Sequence, residues 1–246
     1  MRIGIIGTGA IGSILAEKLS NAGHEVKVTN TRDFAELVKI AGSLGAKAAT
    51  LENVVKDVDA IIFSIPFNAY KDLPKGLLQD VPKEVVVMDT SNYAQYRDGE
   101  LEGLVGKTES EYIAETLGRP VVKVFNIVMA YTLGHKGKAA GENGRIAISI
   151  AADNQEHKKV AAGLVDQMGF DAVHGGSLAQ SWRQEAGTPA FCTELNAADL
   201  EQALNQAEKG KAPKVMAYIM DKLMKAEQPP THEEIVALNR SASQEI

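Results

Sequence analysis

The chain has 246 residues, of which 45% are hydrophobic and 24% charged, a composition typical of a folded globular protein. This length allows one large domain or two modest ones. The formal net charge of −6 argues against a general nucleic-acid binder. Cys192 is the only cysteine, so an intrachain disulfide is excluded and a reducing, cytoplasmic compartment is the simplest interpretation. No apolar run approaches the roughly 20 residues that span a bilayer, so we expect neither nucleic acid nor membrane as a partner.

The first residues combine a short apolar run with a glycine-rich turn. Arg2 to Ile6 is typical of a buried parallel strand, and residues 10–21 carry the apolar spacing of a helix. Between them stands a G-x-G-x-x-G pattern, which is typical of dinucleotide-binding sites when it joins a strand to a helix. The first glycine allows the tight turn, the second lets a pyrophosphate approach the backbone, and the third lets the helix pack closely. The predicted contacts with the pyrophosphate are Gly7, Thr8, Gly9, Ala10, Ile11 and Gly12.

The end of the second predicted strand indicates which dinucleotide binds. NAD sites usually place an acidic residue there, about 20 residues after the glycines, to bind the ribose 2′-hydroxyl. This chain has Asn30, Thr31 and Arg32, and its first acid is Asp33. A carboxylate would repel a 2′-phosphate, whereas short polar side chains and a guanidinium can bind one. The three residues therefore predict NADP(H) as the cofactor; the alternative is that Arg32 is an ordinary surface charge.

The pattern between residues 25 and 126 alternates strands with helices. Five further strands are predicted, beginning at Glu25 and then at 46–49, 59–66, 84–89 and 120–126, with Pro66 at or beyond the end of its strand. Helices are predicted at 33–44, 51–56, 70–78 and 110–117, the last with Ser110 as its N-cap. Six strands alternating with helices predict an α/β fold with a doubly wound parallel (Rossmann) sheet.

The pattern changes after residue 130. Gly134, Gly137, Gly141 and Gly144 indicate a loop, followed by strands at 145–151 and 171–173 around a helix at 155–168. A turn at 175–177 and a helix at 178–185 come next, and the last 50 residues are mostly polar helix, the final one capped by Thr231. We therefore predict an NADP-binding domain at 1–130 and a small C-terminal α/β and helical region at 131–246. Because that region is small and its helices have partial apolar faces, we expect it to bind substrate and to support a homodimer.

Several of these segments together resemble the NADPH-dependent coenzyme F420 reductase family, also called F420-dependent NADP oxidoreductases. The resemblance covers residues 1 to about 190. It rests on the segments 7–12, 30–32, 64–67, 89–92 and 122–126, with a further match at 175–178. It implies that Ser64, Ile65, Pro66 and Phe67 lie over the nicotinamide, with Asn92 nearby, and that the segment containing Asn126, Met129 and Ala130 approaches the ring edge and the second substrate.

The resemblance also implies hydride transfer between NADPH and a deazaflavin (coenzyme F420), a flavin or a similar planar acceptor. The cofactors carry this chemistry, so the hydride step requires no acid, base or nucleophile from the protein, and we assign no catalytic residue. No pair of histidines has metal-ligand spacing, and we expect no metal site. His135 could reach an anionic substrate or be a solvated loop residue. Two alternatives remain open: an NADP-dependent hydroxyacid or imine dehydrogenase, and a non-catalytic NADP-sensing protein.

Overall fold

One eight-stranded sheet runs through the computed structural model, which describes residues 1–246. The strands are β1 (Arg2–Ile6), β2 (Glu25–Thr29), β3 (Lys47–Ala48), β4 (Ala60–Phe63), β5 (Val86–Asp89), β6 (Val122–Lys123), β7 (Ala147–Ala151) and β8 (Asp171–Gly176). Their spatial order is β3-β2-β1-β4-β5-β6-β7-β8. Every neighbouring pair is parallel except β6 and β7, which are antiparallel. The predicted α/β fold with a doubly wound, mostly parallel sheet is confirmed.

Helices connect the strands and cover both faces of the sheet. The α-helices are α1 (Ala10–Asn21), α2 (Phe34–Ser43), α3 (Leu51–Val54), α4 (Gln95–Asp98), α5 (Glu109–Leu117), α6 (Ala130–His135), α7 (Gln155–Gln167), α8 (Ala197–Gln206), α9 (Ala212–Met224) and α10 (His232–Glu245). Three 3-10 helices lie at Phe67–Asp72, Glu102–Leu104 and Leu178–Gln184. No helix combines the length and the apolar composition that crossing a membrane would require.

The buried side chains of β4 show why a continuous apolar run forms a central strand. Successive side chains of a strand point to opposite faces of the sheet. Ile62 belongs to the larger hydrophobic core, with α1 and α7, while Ile61 and Phe63 belong to the smaller core, with α3 and α5. Since both faces are covered by helices, a β4 with polar alternation would place unpaired polar groups in one of the two cores.

The sheet continues beyond residue 130 into the C-terminal region. β7 pairs with β6 through Lys123 and Ala151, and β8 then pairs in parallel with β7. The strands predicted at 145–151 and 171–173 are therefore present, and they extend the same sheet. The division of the chain into two functional regions at residue 130 stays a prediction.

Four local predictions are wrong for identifiable reasons. The segment 70–78 is not an α-helix: a 3-10 helix ends at Asp72, and Pro74 cannot donate to a helical ladder. The N-cap of α5 is Thr108 rather than Ser110, because Thr108 and Glu111 form a reciprocal capping box. Gly134 lies inside α6 and not in a loop. The glycines predicted to form a turn at 175–176 instead end β8.

The C-terminal helices pack partly on each other and partly on the body. α9 and α10 share a small core of Val215, Ile219 and Ala242. Thr231 caps α10 as predicted. The ring of His232 lies 2.6 Å from the carboxylate of Glu194, and the guanidinium of Arg240 donates to the backbone carbonyls at 193 and 194. The tail is thus attached to the body by polar contacts from the first residue of α10 and from Arg240, further along the same helix.

Candidate functional site

The turn between β1 and α1 has the geometry that a pyrophosphate requires. Gly7 has a φ of +106°, and a Cβ there would lie 2.1 Å from the carbonyl oxygen of Ser64. A Cβ on Gly12 would lie 2.1 Å from the carbonyl oxygen of Gly7, so this glycine lets α1 pack against the turn. A Cβ on Gly9 would meet no atom within 4 Å. Nothing in the protein therefore requires a glycine at position 9, and the space above it is open to a ligand.

The N-terminus of α1 faces this open space without a protein partner. Its N-cap is Gly9, so no side chain caps the helix, and its first turn contains no acidic residue. The first N–H groups of a helix have no acceptor within the helix, and the helix dipole adds a partial positive charge there. α1 thus offers the backbone donors and the electrostatic environment that bind phosphates at helix N-termini.

A side-chain amide links the glycine turn to the predicted 2′-phosphate contacts. Asn30 donates from Nδ2 to the hydroxyl of Thr8 at 2.6 Å and accepts from the backbone N–H of Arg32 at 2.9 Å. The Arg32 guanidinium is 58% exposed and pairs with Glu36 at a distance of 2.5 Å. Thr31 is also exposed. A 2′-phosphate could reach Arg32 from solvent, but it would compete there with the carboxylate of Glu36.

The end of β4 lies against the glycine turn. The backbone N–H of Ser64 donates to the carbonyl of Ile6 at 2.8 Å, which extends the pairing of β1 and β4. Ser64 and Ile65 are half-buried and Pro66 is exposed, so these three can border a ligand. Phe67 cannot border one with its side chain, because that side chain is fully buried.

The burial of Phe67 has a clear physical cause. Its ring stacks on Tyr112, with ring centroids 5.4 Å apart, and contacts the edge of Tyr93 at 5.5 Å. The predicted contact of Phe67 with the nicotinamide is therefore wrong for the side chain, which instead attaches α5 to the segment after β4. The sequence could not distinguish these two roles, because both require an apolar residue following Pro66.

The side chain of Asn126 is bound within a network of three amides. Its Nδ2 donates to Asn92 Oδ1 at 2.9 Å and to the carbonyl of Gln184 at 2.7 Å, while its Oδ1 accepts from Gln184 at 3.0 Å. Asn92 in turn donates to the Asn126 carbonyl at 2.8 Å. Asn126 is 3% exposed and all its polar atoms have partners. It therefore holds the ends of β5 and β6 together and has no free group to orient a ring.

A backbone bend directs the chain past this network. Phe125 has a φ of +62°, a left-handed conformation that is uncommon for a bulky residue, and it is buried. Ile127 and Val128 follow as buried residues, whereas Met129 and Ala130 are half-buried at the start of α6. Of this segment, Met129 and Ala130 can offer surface to a ligand.

Residues 2–93 match the family described as NADP oxidoreductase, coenzyme F420-dependent. The chain is 36% identical over 107 residues to the protein YjhV of Escherichia coli strain K12, an alignment that covers 44% of this chain and 78% of YjhV.

The chain belongs to this NADP oxidoreductase family. Two solved structures share the fold. The protein SMa0349 of Sinorhizobium meliloti has a TM-score of 0.65 and 27% identity, covering 80% of this chain and 95% of that one. A candidate F420-dependent NADP reductase of Arthrobacter sp. FB24 has a TM-score of 0.60 and 21% identity, covering 74% and 87%.

A buried ionic cluster that the sequence did not indicate lies at the ends of β5 and β6. Lys123 is fully buried, and its Nζ lies 3.0 Å from Asp89 and 3.3 Å from Glu109. Lys123 also donates to the backbone carbonyl of Ser91. Glu185 accepts the backbone N–H of Glu109 at 2.9 Å. We name Asp89, Lys123, Glu109 and Glu185 the buried ionic cluster.

The pKa values of the cluster are set by burial and by the charges it contains. Burial lowers the pKa of Lys123, but the charges of Asp89 and Glu109 outweigh it and the net shift is upward. Burial raises the pKa of Glu109 to about 8, against the opposing effect of Lys123 and with a further rise from Glu185. Burial also raises the pKa of Tyr70, whose hydroxyl donates to Asp89 at 2.6 Å. The reason the sequence did not reveal this cluster is that its members lie on four separate elements.

His135 lies on α6 rather than in a loop, and it is exposed. Its ring stacks on Tyr131, with centroids 4.6 Å apart, and Tyr131 also contacts the ring of His232 at 4.6 Å. The sequence predicts that the second substrate approaches Ala130. His135 lies further along the same short helix and is accessible from solvent.

Proposed function

We propose that the protein transfers hydride directly between NADPH and a planar acceptor, a deazaflavin such as coenzyme F420 or a flavin, within a ternary complex. The main support for the NADP(H) site is the contrast between the surroundings of Gly7 and Gly9 in the turn after β1. Gly7 is required by the fold, whereas the Cβ position of Gly9 is empty space at the N-terminus of α1. An open glycine beside uncapped N–H groups supports a pyrophosphate site there.

We assign the remaining parts of the dinucleotide by their order along the sheet edge. The 2′-phosphate is bound by Asn30, Thr31 and Arg32, beyond β2. The nicotinamide lies past the end of β4, against Ser64, Ile65 and Pro66, because ligands of open parallel sheets bind outside the carboxyl ends of the strands. Asn92 and Asn126 hold the backbone in place behind this edge. Met129 and Ala130 provide the surface that contacts the acceptor.

Two arguments support a planar ring as the hydride acceptor. One is the family, and the other is that none of these residues is positioned as an acid or a base toward a substrate. A hydride step between two rings depends on orientation, with the reacting carbons roughly 3–3.5 Å apart. A hydroxyacid or imine dehydrogenase would require a group that protonates or deprotonates the substrate. Lys123 is not suited to that role, because it is fully buried and its Nζ is bound by Asp89, Glu109 and Ser91.

The test is NADPH oxidation with coenzyme F420 or FMN as the acceptor. With stereospecifically deuterated NADPH, we expect the label to reach the acceptor from one face only, and initial-rate patterns that intersect. Parallel patterns with loss of label to solvent would contradict direct transfer. NADPH binding without turnover of any acceptor would favour the sensor alternative. We further propose that residues 131–246 contribute to a homodimer; a monomer at micromolar concentration by light scattering would contradict this.

A further inference from the structure

The buried ionic cluster contains more acidic groups than its single cation can neutralise. Lys123 faces the carboxyl groups of Asp89 and Glu109, and Glu185 contacts the backbone of Glu109. If all were ionised, three carboxylates and one ammonium would leave a net charge of −2 in the interior. An uncompensated buried charge is strongly disfavoured, so the cluster retains at least one proton at neutral pH.

Hydrogen bonding shows which carboxyl group is ionised. Asp89 accepts from the Tyr70 hydroxyl at 2.6 Å, from the Ser91 N–H at 2.9 Å, from the Ser91 hydroxyl at 2.6 Å and from Lys123 at 3.0 Å. Four donors stabilise a carboxylate, so Asp89 is the anion that pairs with Lys123. Glu109 has fewer donors, namely a backbone N–H of Tyr93 and a longer contact of 3.3 Å with the Lys123 ammonium, which is already paired with Asp89.

The retained proton therefore belongs to Glu109 and its neighbour Glu185. Burial raises the pKa of both carboxyl groups, that of Glu109 to about 8. Lys123 acts on both carboxyl groups, Glu111 and Lys209 act on Glu185, and Tyr93 and Arg97 are close enough to be affected by the charge of Glu109. Asp89 acts on the same Lys123. Glu185 is half-buried, so a proton can pass from the pair to solvent.

The cluster is attached to the edge of the sheet where we place the nicotinamide. Asp89 is the last residue of β5, and Lys123 donates to the carbonyl of Ser91, the residue before Asn92. Gln184, the residue before Glu185, donates to and accepts from Asn126. A change of charge in the cluster therefore occurs next to Asn92 and Asn126, which we place behind the nicotinamide edge of the site. The oxidised nicotinamide carries a positive charge and the reduced one is neutral.

We propose that the buried ionic cluster is a proton-linked charge beneath the nicotinamide, so that binding of NADP⁺ displaces its proton to solvent and binding of NADPH does not. This inference rests on the proposed NADP(H) site. When Glu109 loses its proton, the cluster gains a negative charge that attracts the oxidised ring. For a separation of about 10 Å and an effective dielectric constant of about 20, Coulomb's law corresponds to about a tenfold change in affinity. NADP⁺ affinity should rise by this factor as the pH passes through 8, while NADPH affinity should not.

The experiment measures proton release on binding of NADP⁺ and of NADPH to the full-length protein, by calorimetry at pH 7.5 in two buffers of different ionisation enthalpy. The two ligands carry the same 2′-phosphate, so its titration cancels in the difference. We expect a larger release with NADP⁺, and we expect Glu109→Gln to abolish the difference. Glu115→Gln, an exposed residue of the same helix, is the matched control and should keep the difference.

The possible results distinguish a failure of the proton-linked charge from a failure of the proposed NADP(H) site. Equal proton release with both ligands, or a difference that persists in Glu109→Gln, would overturn the proton-linked charge. Failure of both dinucleotides to bind the wild-type protein would instead overturn the proposed NADP(H) site. If Glu109→Gln does not fold, Glu185→Gln provides the second variant. The comparison of the two ligands with the wild-type protein remains decisive, since equal release contradicts the inference without any variant.

Discussion

Asp89 and Lys123 are register partners at the ends of two neighbouring parallel strands, and their side chains form an ion pair with no solvent exposure. The Lys123 Nζ lies 3.0 Å from Asp89 Oδ2. Because partner residues in a sheet point to the same face, the pairing of β5 with β6 itself brings the two charges together. The interaction therefore fixes the register of a strand pair that has only two residue pairs.

Replacing Lys123 by Met should destabilise the protein severely. Removing one partner of a buried pair leaves uncompensated charge, at a cost of about 3–5 kcal/mol. Lys107→Met is the matched control, since Lys107 is exposed and pairs with exposed Glu115, a type of pair that contributes about 0–1 kcal/mol. Urea denaturation of both variants tests this. Equal stability of Lys123→Met and wild type would show that the pair is not required for the fold.

The raised pKa of Glu109 predicts that stability falls as the pH rises. Its folded value of about 8 lies above the ordinary value of 4.5, so between these values the folded state binds more protons than the unfolded state. The stabilising contribution is complete below pH 4.5 and is lost as the pH approaches 8. Since one pKa unit corresponds to about 1.4 kcal/mol, the loss is on the order of a few kcal/mol.

The measurement is the free energy of unfolding of wild type and Glu109→Gln from pH 5 to 9. The variant cannot ionise at this position, so its stability should decline less than that of the wild type across this window. Parallel curves for the two proteins would show that Glu109 does not titrate there.

Arg32→Ala should weaken NADPH binding by about tenfold and leave NADH binding almost unchanged. A charge-assisted hydrogen bond contributes about 1.5–3 kcal/mol, and the exposure of Arg32 and its pairing with Glu36 favour the lower end. Glu36→Gln removes the competing carboxylate and should strengthen NADPH binding by a few-fold. Fluorescence titration with both cofactors measures these effects. Equal losses for NADPH and NADH in Arg32→Ala would contradict the 2′-phosphate assignment.

The two glycine environments predict opposite results for the same substitution. Gly9→Val should fold normally, because its Cβ position is empty, but should lose dinucleotide binding because the side chain occupies the place of the pyrophosphate. Gly7→Val should lose stability, because φ is +106° and the Cβ would lie 2.1 Å from a backbone oxygen. Thermal unfolding and NADPH titration distinguish the two. Normal NADPH binding by folded Gly9→Val would show that this turn is not the site.

The sequence predicted well the features that depend on residues close together in the chain. The bounds of β1 and α1 and the glycine turn follow from apolar runs and from spacing within 20 residues. Neither the burial of Phe67 by Tyr93 and Tyr112 nor the cluster around Lys123 could be predicted, since both depend on contacts between distant segments. A buried lysine is also rare enough that Lys123 within an apolar strand gave little indication of its partners.

Asn126 should affect the acceptor more than NADPH, although its side chain does not face the ligand. The amide network with Asn92 and Gln184 holds the start of the segment that leads to Met129 and Ala130. Asn126→Ala leaves the Asn92 and Gln184 partners unsatisfied and loosens this segment, while the pyrophosphate and 2′-phosphate contacts remain intact. We expect NADPH affinity to change by less than about threefold, and kcat with the acceptor to fall by about 10- to 100-fold, since misplacement of reacting atoms by about 1 Å can have effects of this size. Asn126→Asp keeps the size but places a buried carboxylate oxygen against the two oxygens that accept from Asn126 Nδ2, so it should impair the enzyme at least as much as Asn126→Ala. NADPH titration and steady-state kinetics measure the two effects, and a loss of NADPH affinity as large as the loss of kcat would show that Asn126 contributes to the dinucleotide site instead.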